Sequence, residues 1–166
     1  MQATAQAAQQ IKLELAAEIL GAGGSISVRA LGTSMIPSIW PGDLLMIDSI
    51  SPQQIMTGDV ILFRQQSRFY IHRVVRTDTY GGSWITRGDA LLEQDPPVRP
   101  SELLGRVVAI ERNGRSIQPT RQSRCSYVVS FLLARWDALH NVALRIHRLI
   151  APAPTQPAKT MSCYSE

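Results

Sequence analysis

At 166 residues, with 45% hydrophobic and 18% charged side chains, the chain carries enough apolar material for one folded core and too little charge for a disordered polyelectrolyte. The net charge of +4 is unevenly spread: Arg112 to Ile150 holds seven arginines against the single acid Asp137, whereas Met1 to Ile50 sets Lys12 and Arg29 against Glu14, Glu18, Asp43 and Asp48. Cys125 and Cys163 have no partners at metal-ligand spacing and make no disulfide framework, so free thiols and no metal or cofactor are expected.

Ala5 to Leu20 reads as an amphipathic helix, with Ile11, Leu15 and Ile19 on its apolar stripe and Lys12, Glu14 and Glu18 mostly elsewhere. Gly21, Gly23 and Gly24 end it. The pattern then changes to short β-type runs: Ile26–Ala30, Leu44–Ile47, Val60–Phe63, Phe69–Arg76, Ser83–Thr86 and Leu104–Glu111. Turn chemistry separates them at Pro41-Gly42-Asp43, Thr57-Gly58-Asp59, Gly81-Gly82, Gly88-Asp89 and Asn113-Gly114. Strands at this spacing predict a compact, mainly β, mostly antiparallel domain over residues 25–118. Asp95-Pro96-Pro97-Val98-Arg99-Pro100 is a loop, because its prolines remove ladder donors.

Beyond it, residues 119–150 are basic and contain a second amphipathic helix from about Ser126, with Asp137, Asn141, Arg145 and Arg148 on a narrow polar strip. Residues 151–166 read as a disordered tail. The basic helix fits peripheral contact with an anionic membrane, and equally packing against the β-domain. Nucleic acid is not expected, given the few aromatics in Arg112–Arg124. No run approaches the roughly eighteen apolar residues of a membrane-spanning helix, and the N-terminus lacks a basic stretch followed by an apolar core. The expected location is therefore cytoplasmic or peripheral to a membrane.

The densest chemical signal is Gly32-Thr33-Ser34-Met35-Ile36-Pro37, followed by Trp40-Pro41-Gly42-Asp43. A serine between a glycine and a proline sits on constrained, turn-like backbone, which can expose its hydroxyl and aim amide N–H groups at an oxyanion. Serine needs a base. His140 and His147 fall among arginines in the C-terminal helix, but His72 lies in the strand Phe69–Val75, where alternation puts Tyr70, His72 and Val74 on one face and Ile71, Arg73 and Val75 on the other. A third group would hold the imidazole, and both Asp89 and Asp95 qualify.

These blocks resemble a known pattern. Gly32-x-Ser34-Met35-x-Pro37, then Gly42-Asp43, then Gly58-Asp59-Val60 is similar to the signature shared by signal peptidases I and the self-cleaving SOS repressors. Most of those proteins pair the serine with a lysine. Here the matching strand carries His72, and Gly88-Asp89, Asp95 and Gly105-Arg106-Val107 follow, as in the endoplasmic-reticulum and archaeal type of signal peptidase. The resemblance covers about Val28 to Ile110. It implies a mainly β catalytic domain with Ser34 as nucleophile, His72 as base and Asp95 as its orienting carboxylate. It further implies an oxyanion hole using the Ser34 amide near Gly32, Asp89 as loop support, and an extended peptide or preprotein substrate with small residues at the cut. A self-cleaving regulator and a non-catalytic peptide-binding module are the alternatives. Three departures stand out: Gly32 replaces the serine that assists the oxyanion hole in lysine-type enzymes, Ala90-Leu91-Leu92 replaces asparagines, and no membrane anchor is evident.

Overall fold

Gly23, at positive φ, turns where other residues rarely can, and with Gly24 it finishes the first element. In the computed structural model, which describes residues 14–65, 68–78, 82–119 and 161–163, residues 14–21 are helical. Gly23 takes φ 84°, its N–H donates to the Leu20 carbonyl (3.0 Å), and the Gly24 N–H donates to the Ile19 carbonyl (2.9 Å). That pair of bonds is a Schellman cap, and it satisfies carbonyls the helix end would leave open. The buried face differs from the expected one. Ala16 and Leu20 pack into the core, while Leu15 and Ile19 are exposed. Both pairs have i, i+4 spacing, so periodicity groups them correctly but does not say which group meets the sheet.

Among the described residues eight strands follow, named here in chain order: β1 (Ser25–Ala30), β2 (Leu44–Asp48), β3 (Val60–Gln65), β4 (Arg68–Asp78), β5 (Ser83–Arg87), β6 (Leu103–Arg112), β7 (Arg115–Ile117) and β8 (Met161–Cys163). They form one sheet in the order β5-β4-β3-β6-β2-β1-β8, with β7 paired to β6. All pairings are antiparallel except that of β8 with β1. The fold is thus the mainly β, mostly antiparallel one expected from the sequence. β7 and β8 were not among the expected strands, and β8 falls where a disordered tail was expected. The expected C-terminal helix lies outside the described residues.

β6 is the hub. It pairs with β2 from Arg106 to Glu111 and with β3 from Leu103 to Arg106. Gly105 sits where the two pairings hand over, and a Cβ there would come within 2.7 Å of the Asp48 carbonyl oxygen. Register shifts at Met46/Ile47 and Leu62/Phe63 flank it, and such bulges bend and twist a sheet. At its far end β6 turns through Asn113 (φ 53°) and Gly114 (φ 73°) into β7. Two consecutive residues at positive φ are the demand of a two-residue hairpin turn, and Asn-Gly meets it.

Apolar clusters lie on both faces of the sheet, the buried strand residues of the second coming from β3, β4 and β5 only. One cluster joins Ala16 and Leu20 to Val28, Leu45, Ile47, Met35, Ile39, Leu62, Ile71 and Val107. The other contains Ile55, Ile61, Phe63, Val74, Trp84 and Val98. Alternation along β3, with Val60 and Leu62 in the first cluster and Ile61 and Phe63 in the second, explains why that strand reads as an unbroken apolar run. The second, smaller cluster is the floor of the site described next.

Candidate active site

Ser34 occupies a turn between β1 and β2 whose neck is closed by backbone bonds: Gly42 N–H to the Ala30 carbonyl (2.8 Å) and Ala30 N–H to the Asp43 carbonyl (2.9 Å). Met35, Ile36 and Ile39 are buried and anchor the loop from below. Asp43 organises the neck. Its Oδ2 accepts the Trp40 N–H (2.8 Å), and Arg112 donates to both its oxygens (2.9 and 2.6 Å) while also holding the Ser38 carbonyl (3.0 Å). Gly32, half-buried, lies in the loop just ahead of the turn. A second loop presses on the serine: the Ala90 N–H donates to the Ser34 carbonyl (2.8 Å), and a Cβ on Gly88 would lie 2.7 Å from that same oxygen.

The sequence left the three polar groups separate; the fold brings them into one line. His72 Nε2 is 3.1 Å from Ser34 Oγ, and His72 Nδ1 is 2.7 Å from Asp95 Oδ2. Ser34 and His72 are almost wholly buried, and Asp95 is half-buried. An ionised carboxylate can only accept, so in the neutral imidazole the proton sits on Nδ1. Nε2 is then a lone pair facing the serine hydroxyl. The imidazole lies among Phe63 (ring centroids 6.2 Å apart) and Tyr70 (5.9 Å), which fix its plane. Burial works against ionising Asp95 and is the largest single influence on it. The His72 hydrogen bond, the His72 charge and the Thr86 hydroxyl together outweigh burial and hold the carboxyl below its ordinary range.

Of the two candidate aspartates, Asp95 reaches His72 and Asp89 does not. Asp89 instead takes two hydrogen bonds from Arg73 (2.8 and 2.7 Å), in a pair whose side chains are both buried. Arg73 also donates to the Gly58 carbonyl (2.9 Å) and to Ser38 Oγ (3.1 Å). It therefore ties the loop after Ser34, the turn before β3 and the turn after β5 to the strand that carries His72. Sequence reading placed Arg73 on the face away from His72 but missed this role. An arginine set directly between His72 and the apolar pair Val74-Val75 was the available signal. Thr86, whose hydroxyl donates to Asp95 Oδ2 (2.7 Å), gave no signal at all.

A cavity of about 220 Å³, lined in part by Asp59, Arg106, Val108 and Gln118, contains none of Ser34, His72 and Asp95. It fills the stretch of β6 edge left between β3 and β7.

Residues 1–87 match the family model of Peptidase S24-like proteins, over the helix, the Ser34 turn and the His72 strand. The chain belongs to the Peptidase S24-like family. Members of that family are serine peptidases, so the chain belongs among hydrolases of that general kind, which include self-cleaving regulators. The match ends one residue after Thr86, before Asp89 and Asp95. No curated protein and no solved structure matches the chain. Among the described residues, no helix is long and apolar enough to cross a membrane.

Proposed function

We propose that this Peptidase S24-like protein is a serine endopeptidase acting by acyl-enzyme chemistry, with Ser34 as nucleophile, His72 as general base and acid, and Asp95 as the carboxylate that orients it. The observation that carries this reading is the unbroken line from Ser34 Oγ through both ring nitrogens of His72 to Asp95 Oδ2. Ser34 Oγ attacks the scissile carbonyl carbon as its proton passes to Nε2. The imidazolium then gives that proton to the departing amine, leaving an ester on Ser34 that water hydrolyses by the same relay in reverse. Asp95 stays ionised throughout and stabilises the cation formed on His72. The oxyanion is assigned to the Ser34 amide in the turn after Gly32, with Asp89 supporting the neighbouring loop through Arg73.

His72 stands where most proteins of this pattern carry lysine. That supports a signal-peptidase-type substrate rather than a self-cleaved one: an extended segment of another chain, bound as a strand, with small side chains at the cut. The deciding experiment is labelling with a fluorophosphonate, comparing wild type with Ser34→Ala, His72→Ala and Asp95→Ala. Stoichiometric labelling at Ser34 that His72→Ala abolishes is expected. A folded wild type that no serine-directed reagent modifies would leave only a peptide-binding role.

A further inference from the structure

Asp95 belongs to no strand. It closes the loop that leaves β5 at Arg87, and Pro96 and Pro97, which follow it, have no N–H to give the sheet. Apart from the His72 contact, both of its hydrogen bonds come from one residue. The Asp95 N–H donates to the Thr86 carbonyl (2.9 Å), and the Thr86 hydroxyl donates to Asp95 Oδ2 (2.7 Å). Past the prolines, Val98 and Trp84 exchange two backbone bonds (3.0 and 2.8 Å), so the segment is stitched to β5 at both ends of the Pro-Pro pair.

We propose that Thr86 is a positioning residue for the Ser34–His72–Asp95 set, gripping Asp95 by backbone and by carboxylate so that Oδ2 stays on His72 Nδ1. This rests on the catalytic reading of those three residues. The torsion that rotates an aspartate carboxylate is soft, with broad wells, so a single donor leaves the plane poorly fixed. Here two donors, His72 Nδ1 and Thr86 Oγ1, meet the same oxygen at 2.7 Å. The carboxylate can only accept, so the Thr86 hydroxyl is committed as a donor. Thr86 is itself wholly buried and sits opposite Val74 in the β4–β5 pairing, two residues along from His72. Its branched Cβ restricts the rotamer. The grip is therefore built into the sheet and applied to a residue of the loop that follows it.

The test compares wild type with Thr86→Val, which keeps the shape and removes the hydroxyl, and Thr86→Ser, which keeps the hydroxyl. Two readouts are used: the rate of fluorophosphonate labelling at Ser34, and the Asp95 carboxyl titration followed by carboxyl-carbon NMR in the free protein. Thr86→Val is expected to label about tenfold or more slowly, the weight of one hydrogen bond to a charged group, and to titrate Asp95 at higher pH. Thr86→Ser is expected to stay close to wild type in both. Should Thr86→Val fail to fold, Thr86→Ala takes its place with the same expectations. Labelling and titration both unchanged in the hydroxyl-free variant would overturn the proposal. If the wild type itself does not label, the catalytic reading fails, and the Asp95 titration alone then decides whether Thr86 holds the carboxylate.

Discussion

Arg73 and Asp89 face each other through two hydrogen bonds of 2.8 and 2.7 Å, with their side chains only 3% and 2% exposed. The pair lies one residue along from His72 and six before Asp95, so the strand and loop that bear the candidate base and its carboxylate are joined just beside them. A planar guanidinium suits this two-point contact, and a lysine ammonium does not. Breaking a buried pair leaves the other charge without compensation, at a cost of about 3–5 kcal/mol. Asp89→Asn is therefore expected to lower unfolding free energy in urea by that order, more than any exposed charge substitution such as Arg99→Lys.

Gly88 lies close against the Ser34 turn. A Cβ there would lie 2.7 Å from the Ser34 carbonyl oxygen and 3.0 Å from Ser34 Cβ. The first of these contacts is with backbone, which cannot swing aside as a side chain end can. Gly88→Ala is expected to push the Gly88–Leu91 turn off Ser34, weaken the Ala90 to Ser34 bond and slow Ser34 labelling sharply. Overpacking of this kind costs about 1–3 kcal/mol. Labelling at the wild-type rate by a folded Gly88→Ala protein would show that the turn does not hold the serine.

The helix offers a test independent of chemistry. Leu20 is 1% exposed and Leu15 52% exposed. Leu20→Ala should cost about 2–5 kcal/mol, as for other buried leucines, while Leu15→Ala should stay within about 0.5 kcal/mol. Urea unfolding of the two variants separates them. Equal costs would mean that the helix docks by the Leu15 and Ile19 face that its sequence also permits.

That ambiguity marks the limit of what the sequence carried. The strands were legible because runs such as Val60–Phe63 and Phe69–Val75 are rich in β-branched and aromatic residues and lie between turn signals such as Gly58-Asp59 and Gly81-Gly82. Arg115-Ser116-Ile117 was not, since three residues have no periodicity and this strand is held by its pairing with β6. In the site, Ser34 and His72 stood out by their local settings, and the order of the motif blocks named Asp95. Spacing alone left Asp89 equally eligible. The choice depends on the path of the loop after β5, which is set by Thr86 and by the two donors flanking Pro96 and Pro97. Arg73 draws its role from partners 15 to 35 residues away in the chain, a relationship no local pattern contains.

Asp95 gives the sharpest dependence on pH. Its carboxyl is held below the ordinary aspartate value despite burial, so the folded state releases this proton more readily than the unfolded chain. The linkage then has one sign: the stabilisation is present above the unfolded value of about 3.9 and is lost as the pH falls through the lower folded value. Asp95→Asn removes the titrating group. Wild type should therefore lose stability more steeply than Asp95→Asn between about pH 5 and the acid limit, and urea midpoints taken across that range would show the two curves converging. At neutral pH the same variant should label on the order of 10³–10⁴-fold more slowly, because an amide can donate to Nδ1 and present the wrong tautomer to Ser34. A slope on acidification identical in the two proteins would mean that Asp95 gains nothing from His72 and Thr86 on folding.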